Sequence, residues 1–186
     1  MDMRVDKNHR LNGVVWTPSL HCDERPKGSE IDLVVVHCVS LPEGRFGTGL
    51  TEKLFVGELD TRLDPAFSDL EGLKVSPHLL IDREGSVKQF VSFEKRAWHS
   101  GISSWCGRER CNDFSIGIEL EGDIGTSFEQ AQYDSLRVVL GALFAVYSRL
   151  SLEAVVGHNE IAPGRKKDPG RYFDWTSIYE NAAAKR

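Results

Sequence analysis

The chain has 186 residues, enough for one domain of ordinary size. Apolar residues make up 40% of it and charged residues 27%, a balance that provides a buried core and excludes a disordered chain. The formal net charge of −5 argues against a general nucleic-acid-binding protein, which would be basic. No apolar run is long enough to span a bilayer, and the polar first 13 residues lack the apolar centre of a secretory signal. We therefore expect a cytoplasmic monomer with neither nucleic acid nor a membrane as partner.

Cysteine usage points to the same compartment. The four cysteines form no CxxC pair, and in a reducing compartment they are expected to be free thiols (Cys22, Cys38, Cys106 and Cys111). The stretch from Pro18 to Gly28 is rich in proline and charge. We predict an N-terminal arm over residues 1–28, packed on a single domain over residues 29–186.

The first predicted elements are a strand, a loop and a hairpin. The apolar, β-branched run over residues 31–37 predicts a buried strand that ends at His37. A glycine-rich loop follows over residues 41–49, and residues 51–56 fit a short helix. Two β-prone runs, 79–81 and 87–93, flank the turn sequence Asp-Arg-Glu-Gly and predict a hairpin.

The second half of the chain predicts two strands and two helices. Residues 114–120 alternate, with apolar side chains on one face and Ser115, Gly117 and Glu119 on the other. Thr126 and Glu129 fit the capping box of a helix that extends to about residue 147. A short strand over residues 154–156 precedes His158, and a last helix is predicted from about residue 175 to 184. This order predicts an α/β fold, one domain with a mixed central sheet flanked by helices.

Three residues are candidates for a metal site. His37 and His158 follow predicted strands, and Asp168 lies in the proline- and glycine-rich loop after His158. Two imidazoles and one carboxylate give zinc three protein ligands and leave the fourth position for water. Zinc lowers the pKa of such a water to about 7. Read singly, each histidine is as well explained by an ordinary surface or hydrogen-bonded role.

Two further residues are candidates for catalysis. Glu119 stands in mid-strand, where glutamate is uncommon, and could move a proton from water to a leaving nitrogen. The alternative is a solvent-facing glutamate, and Glu121 shares its face as a rival base or as the second member of a carboxylate dyad. Lys166 precedes Asp168 by two residues and could stabilise an oxyanion, although a solvated basic loop would also explain it.

The sequence resembles the zinc-dependent N-acetylmuramoyl-L-alanine amidases, and within them the AmpD-type 1,6-anhydro-N-acetylmuramyl-L-alanine amidases. The similar stretches cover most of the chain from Trp16 to Trp175 and include residues 33–37, 39–42, 96–101, 107–122 and 157–170. The runs Asn112–Gly122 and Gly157–Gly170 are the most specific of these. The resemblance implies the fold predicted above, which is shared with peptidoglycan-recognition proteins.

The resemblance also implies roles for individual residues. Zinc would be held by His37, His158 and Asp168, with Glu119 as the acid/base and Lys166 supporting the transition state. Substrate contacts are implied for Arg110, Lys74, Trp98 and His99. Lys74 stands where relatives have arginine, and core packing would explain Trp98 equally well. His78 is expected to be structural or to support the site from behind.

The implied reaction is hydrolysis of the amide between 1,6-anhydro-N-acetylmuramic acid and L-alanine in muropeptides, which serves peptidoglycan recycling in the cytoplasm. Two other functions remain open at this point. A non-catalytic peptidoglycan-recognition module would share the fold, and an exported or phage-type amidase would act on the intact wall. The complete set of implied catalytic residues favours an enzyme over a binding module.

Overall fold

The computed structural model describes residues 3–179. Four α-helices are found in this range: α1 (Leu50–Val56), α2 (Gln130–Phe144), α3 (His158–Ile161) and α4 (Thr176–Tyr179). Short 3₁₀ segments lie at Thr61–Leu63, Pro65–Leu70, Cys111–Asp113 and Leu152–Ala154. The strands in the same range are β1 (Val15–Trp16), β2 (Cys22–Glu24), β3 (Leu33–Val39), β4 (Leu79–Ile81), β5 (Val87–Gln89), β6 (Lys95–Ala97), β7 (Ser104–Trp105), β8 (Arg108–Glu109), β9 (Ser115–Glu121) and β10 (Val155–Gly157).

A mixed six-stranded sheet forms the centre of the fold, in the order β1-β5-β4-β9-β3-β10. The pairs β3–β9, β4–β9 and β3–β10 are parallel, whereas β4 and β5 form the predicted antiparallel hairpin. The hairpin turns at Gly85, whose φ of +81° suits glycine. The predicted fold class, a single domain with a mixed sheet flanked by helices, is therefore confirmed.

One face of the sheet is covered by α2. The apolar side chains of the alternating strand β9 point to this face, together with Val34 and Val36 from β3. They pack against the buried side of α2, which presents Tyr133, Leu136, Val139, Leu140 and Leu143. On the opposite face, β9 presents its polar and small residues, Ser115, Gly117 and Glu119. This part of the sheet is therefore available for a functional site.

The strand that carries His37 has the predicted length of seven residues but is shifted by two residues toward the C-terminus. It begins at Leu33 and continues past His37 to Val39, so the predicted end at His37 is wrong. The extension is stabilised by β9, because Cys38 pairs with Leu120 and Val39 pairs with Glu121. A neighbouring strand thus extends β3 by pairing that local sequence could not reveal.

The start of α2 also differs from the prediction. The helix begins at Gln130, so the capping box at Thr126 and Glu129 is wrong; the Thr126 hydroxyl instead bonds Asp123 Oδ2 at 3.1 Å. Gln132 Oε1 accepts the Glu129 N–H at 3.0 Å, and the Gln132 amide donates to two strand-end carbonyls, Ile81 O and Glu121 O. The buried Gln132 therefore sets where the helix starts. At the other end of the chain, α4 covers Thr176–Tyr179 and so begins close to the predicted start, whereas the predicted helix beyond residue 179 lies outside the described residues.

The segment before residue 29 is integrated into the fold. Strand β1 adds to the edge of the central sheet by pairing with β5, and β2 pairs with β6. The division of the chain at residue 28 stays a prediction. No helix within residues 3–179 combines the length and hydropathy that crossing a membrane requires.

Candidate metal centre

Three side chains from distant parts of the sequence meet on the polar face of the sheet. His37 Nδ1 lies 2.9 Å from His158 Nδ1 and 3.1 Å from Asp168 Oδ2, and His158 Nδ1 lies 3.0 Å from the same oxygen. His37 comes from β3, His158 is the first residue of α3, and Asp168 lies in the loop that follows. The structure therefore brings together the three residues that the sequence singled out as metal ligands.

The loop that carries Asp168 is held close to His158. The Asn159 N–H donates to the Asp168 carbonyl at 2.9 Å. Gly157 allows this approach, since a Cβ there would lie 2.3 Å from Asn159 Oδ1 and 2.8 Å from Pro169 Cδ. The turn after β10 is thus built so that an imidazole and a carboxylate face the same point.

The outer ring nitrogens indicate which atoms face the centre as acceptors. His158 Nε2 lies 3.0 Å from the Ser100 carbonyl oxygen, which can only accept, so Nε2 is the ring nitrogen that donates a proton there. Its Nδ1 is then a bare lone pair that faces inward. His37 Nε2 lies 2.9 Å from His99 Nδ1, a partner that can accept its proton in the same way. The convergent point is therefore lined by acceptors.

The pKa values of His37 and Asp168 also favour a cation site. Burial lowers the pKa of His37 to about 4, so the ring is neutral at pH 7. Burial acts to raise the pKa of Asp168, but its hydrogen bonds with His158 and His37 outweigh burial and hold that pKa well below the usual range. The neutral His37 ring and the ionised Asp168 carboxylate thus present lone pairs to the point that His158 Nδ1 also faces, and a cation there would compensate their repulsion.

The donor set fits zinc. Two imidazole nitrogens and one carboxylate oxygen are typical ligands of a catalytic zinc site with an open fourth position. Ligand atoms at 2.0–2.1 Å from a tetrahedral zinc lie about 3.3 Å apart. The spacing of 2.9–3.1 Å between the three atoms requires only a slight outward movement of the side chains to reach that arrangement.

Glu119 lies beside this centre on the neighbouring strand. It is the register partner of His37 across the β3–β9 pair, so both side chains lie on the same face of the sheet. Glu119 Oε2 is buried and has no hydrogen-bond partner. Burial and the nearby Asp168 carboxylate raise the pKa of Glu119 well above its usual value. A buried, unpartnered carboxyl with a raised pKa has the properties of a group that exchanges protons.

Glu121, the rival on the same face, has a different environment. Its carboxylate accepts the Gly47 N–H at 2.6 Å and so ties the loop over residues 41–49 to the end of β9. This contact explains the buried Glu121 as a loop anchor. The geometry therefore gives Glu121 a structural task and leaves Glu119 as the free carboxyl.

The two basic candidates, Lys166 and Arg110, have different environments. Lys166 is exposed on the loop before Asp168, and its charge partly offsets the burial that raises the pKa of Glu119. Arg110 has a left-handed backbone with φ +62°, and its side chain, 69% exposed, lies 3.3 Å from Asp113. Arg110 lines a groove of about 560 Å³ together with Gly101, Ile102 and Arg165.

The other predicted substrate contacts are more scattered. Trp98 is 41% exposed, with the Arg96 guanidinium over its ring, so core packing does not explain this residue. Lys74 is exposed in a separate groove, which it lines with Asp60 and Arg62 and which none of the three converging residues borders. His99 lies within hydrogen-bond distance of His37 itself.

His78 and Arg25 bind the backbone of β9 next to the site. His78 Nδ1 accepts the Gly117 N–H at 3.0 Å, so its proton lies on Nε2, 3.1 Å from the Lys95 carbonyl. Arg25, from the segment before residue 29, donates to the Ser115 carbonyl at 2.7 Å and to carbonyls of residues 93, 112 and 113. Sequence reasoning missed Arg25, because one arginine among the charged residues of a polar arm carries no signal of burial.

Glutamine at position 119 is expected to stabilise the metal-free protein at neutral pH. Because the pKa of Glu119 in the folded state exceeds its ordinary value of 4.5, the stability that its protonated carboxyl contributes is complete below pH 4.5 and is lost as the pH rises. Glutamine does not titrate, so Glu119→Gln does not lose this stability. Above pH 4.5 its free energy of unfolding should exceed that of the wild type, by at most about 3 kcal/mol at pH 7. Urea unfolding of both proteins in chelator between pH 4.5 and pH 8 measures this difference. A difference that does not change with pH would contradict the raised pKa.

Comparison of the sequence with known proteins indicates one family. The family model described as N-acetylmuramoyl-L-alanine amidase matches residues 27–171. The chain is 48% identical over 165 residues to the 1,6-anhydro-N-acetylmuramyl-L-alanine amidase AmpD of Escherichia coli (strain K12), covering 89% of this chain and 90% of that protein.

Solved structures agree with the sequence comparison. A crystal structure of a selenomethionine AmpD derivative superposes with a TM-score of 0.90 at 46% identity, covering 93% of this chain and 96% of the other. The amidase AmiD from E. coli, in complex with the substrate anhydro-N-acetylmuramic acid-L-Ala-D-γ-Glu-L-Lys, gives a TM-score of 0.59 at 29% identity, covering 84% and 60%. The chain belongs to the N-acetylmuramoyl-L-alanine amidase family, and within it to the AmpD-type amidases.

Proposed function

We propose that this protein hydrolyses the amide between 1,6-anhydro-N-acetylmuramic acid and L-alanine in muropeptides. The observation that carries the proposal is the convergence of His37, His158 and Asp168 beside the unpartnered carboxyl of Glu119. The names of the AmpD relatives support this substrate, and AmiD binds a muropeptide of the same chemistry.

We propose that His37 Nδ1, His158 Nδ1 and Asp168 Oδ2 hold a zinc ion. When bound, zinc supplies a Lewis acid that makes water a nucleophile at neutral pH and polarises the amide carbonyl. The outer nitrogens of both rings have protein partners, so these three inward-facing atoms would hold the metal and a position for water would remain.

Glu119 is the proposed carrier of the proton. Its ionised carboxylate takes one proton from the attacking water as the new C–O bond forms. It then gives this proton to the nitrogen of L-alanine as the C–N bond breaks, so water adds across the amide with no net change in the enzyme. The raised pKa suits both steps, because a carboxyl with an unperturbed pKa would be a weak base and would rarely be protonated near pH 7.

Two cations are proposed to bind negative charge. The Lys166 ammonium is exposed near Glu119 and Asp168 and would stabilise the oxyanion that develops on the carbonyl oxygen. The Arg110 guanidinium would bind a carboxylate of the stem peptide, for which its forked geometry is suited. Trp98 is proposed to pack against the sugar or the peptide, and a role for Lys74 as a more distant carboxylate contact stays a prediction.

A carboxylate dyad is the less favoured mechanism. It would need Glu121 to act with Glu119, but the Glu121 carboxylate is already bound by the Gly47 N–H. A binding module without catalysis would give no reason for an unpartnered buried carboxyl next to three converging lone pairs. Both observations favour the zinc amidase.

We also propose that the protein acts in the cytoplasm, on soluble fragments released during recycling of the wall. All four cysteines are free thiols, which fits a reducing compartment. An exported amidase would act on intact wall, so the choice of substrate separates the two possibilities.

The test is hydrolysis of a purified anhydro-muramyl tripeptide followed by mass spectrometry of the products. We expect release of the free peptide and anhydro-N-acetylmuramic acid, complete loss of activity after dialysis against chelator, and recovery on addition of zinc. Intact sacculi should be cleaved at least about 100-fold more slowly. Binding without cleavage would instead identify a recognition module, and equal cleavage of sacculi would favour a wall-degrading amidase.

A further inference from the structure

His99 is enclosed between strand β9 and His37. Its Nδ1 lies 2.9 Å from His37 Nε2, and its Nε2 lies 3.2 Å from the Ser115 hydroxyl. The two rings meet edge to face, with centroids 5.0 Å apart. Both nitrogens of His99 are thus occupied by protein groups, which leaves neither of them free for a substrate in this arrangement.

If His37 binds a metal through Nδ1, the hydrogen bonds from His37 through His99 to Ser115 can run in one direction only. His37 Nε2 must then carry its proton and donate it to His99 Nδ1. His99 Nε2 in turn carries a proton and donates it to the Ser115 oxygen. All the groups are neutral in this order, and each ring nitrogen has a partner of the right type.

Gly117 makes room for this arrangement. A Cβ at Gly117 would lie 2.4 Å from His99 Cγ and 2.5 Å from its Nδ1, so the ring rests directly on the backbone of β9. The space above the small residues of this strand, Ser115 and Gly117, is therefore filled by His99. The glycine in mid-strand has a packing reason that the alternation alone did not reveal.

The next residue orients the second imidazole. The Ser100 carbonyl accepts from His158 Nε2 at 3.0 Å, so adjacent residues contact both histidines of the centre. Both N–H groups of this dipeptide donate to one buried side chain. Asn112 Oδ1 accepts the His99 N–H at 3.2 Å, the Ser100 N–H at 2.9 Å and the Ser100 hydroxyl at 2.7 Å.

We propose that His99 is a positioning residue of the metal centre, which fixes the tautomer and the ring orientation of His37 by accepting its outer proton. Asn112 holds the His99–Ser100 backbone in the place that serves both imidazoles. The inference rests on the zinc site of the proposed function. It gives His99 a task that differs from the substrate contact suggested by the family resemblance.

The test measures zinc affinity in the absence of substrate, by competition with a chromophoric chelator on the full-length protein. Three variants are compared. His99→Leu removes the acceptor at similar size, and His99→Asn keeps an oxygen near the position of Nδ1. Ile102→Ala is the matched control on the same loop, because its side chain is 87% exposed. We expect His99→Leu to weaken zinc binding about 10- to 100-fold, His99→Asn to recover most of this loss, and Ile102→Ala to bind as wild type.

The outcomes separate this inference from the proposed function. If the wild-type protein binds no zinc, the metal site itself is wrong. If the wild type binds zinc and His99→Leu binds it equally, with only KM raised, His99 is a substrate contact and the inference is overturned. Circular dichroism first establishes that each variant folds. Should His99→Leu fail to fold, Ser115→Ala decides: we expect about 2- to 10-fold weaker zinc binding from the lost hydrogen bond, and unchanged affinity would overturn the proposal.

Discussion

Replacing Asp168 with alanine is expected to abolish tight zinc binding. The carboxylate is the only anion among the three converging groups, and its Oδ2 lies within 3.1 Å of both imidazole nitrogens. Loss of an outer partner of a zinc ligand already costs about 10- to 100-fold in affinity, so loss of the ligand itself should cost at least about 1,000-fold. Chelator competition measures the affinity directly.

The same substitution should also remove the stabilisation that zinc provides. A metal that binds only the folded state at 1,000 times its Kd adds about 4 kcal/mol to the free energy of unfolding. We therefore expect zinc to raise the Tm of the wild type and to leave that of Asp168→Ala almost unchanged. Asp69→Ala, at an exposed carboxylate far along the chain, is the matched control and should respond as wild type. A normal zinc response in Asp168→Ala would refute its role as a ligand.

Replacing Glu119 with glutamine is expected to separate turnover from metal binding. Glutamine keeps the size of the side chain but can neither take nor give the proton. A general acid/base contributes about 100- to 10,000-fold to the rate, so kcat should fall by a factor in this range. Zinc affinity should change little, because Glu119 supplies none of the three converging atoms.

Glu121→Gln is the matched control for this experiment. It lies two residues further along the same strand and on the same face, and a glutamine oxygen can still accept the Gly47 N–H. We expect this variant to retain kcat within a factor of about three, since a neutral acceptor weakens the hydrogen bond without removing it. If Glu121→Gln lost activity and Glu119→Gln kept it, the assignment of the base would have to be exchanged.

Much of this protein follows from local patterns in its sequence. The alternation in β9 determines that the apolar residues face α2 and that Glu119 faces the other side, because successive side chains of a strand point to opposite faces. The turn at Gly85 and the β-prone runs around it determine the hairpin. The motifs between Trp16 and Trp175 indicate the amidase family from the sequence alone, and the family model that matches residues 27–171 confirms it.

Only the tertiary structure decided how the site is assembled. His37 and Asp168 are 131 residues apart, and it is the parallel pairing of β3 with β9 and β10 that brings their segments together. The end of β3, the start of α2 and the burial of Arg25 all depend on partners far away in the chain. The ring of His99 on Gly117, and with it the tautomer of His37, depends on such partners as well. Local sequence specifies which face a side chain takes, whereas non-local packing specifies which other side chains it meets there.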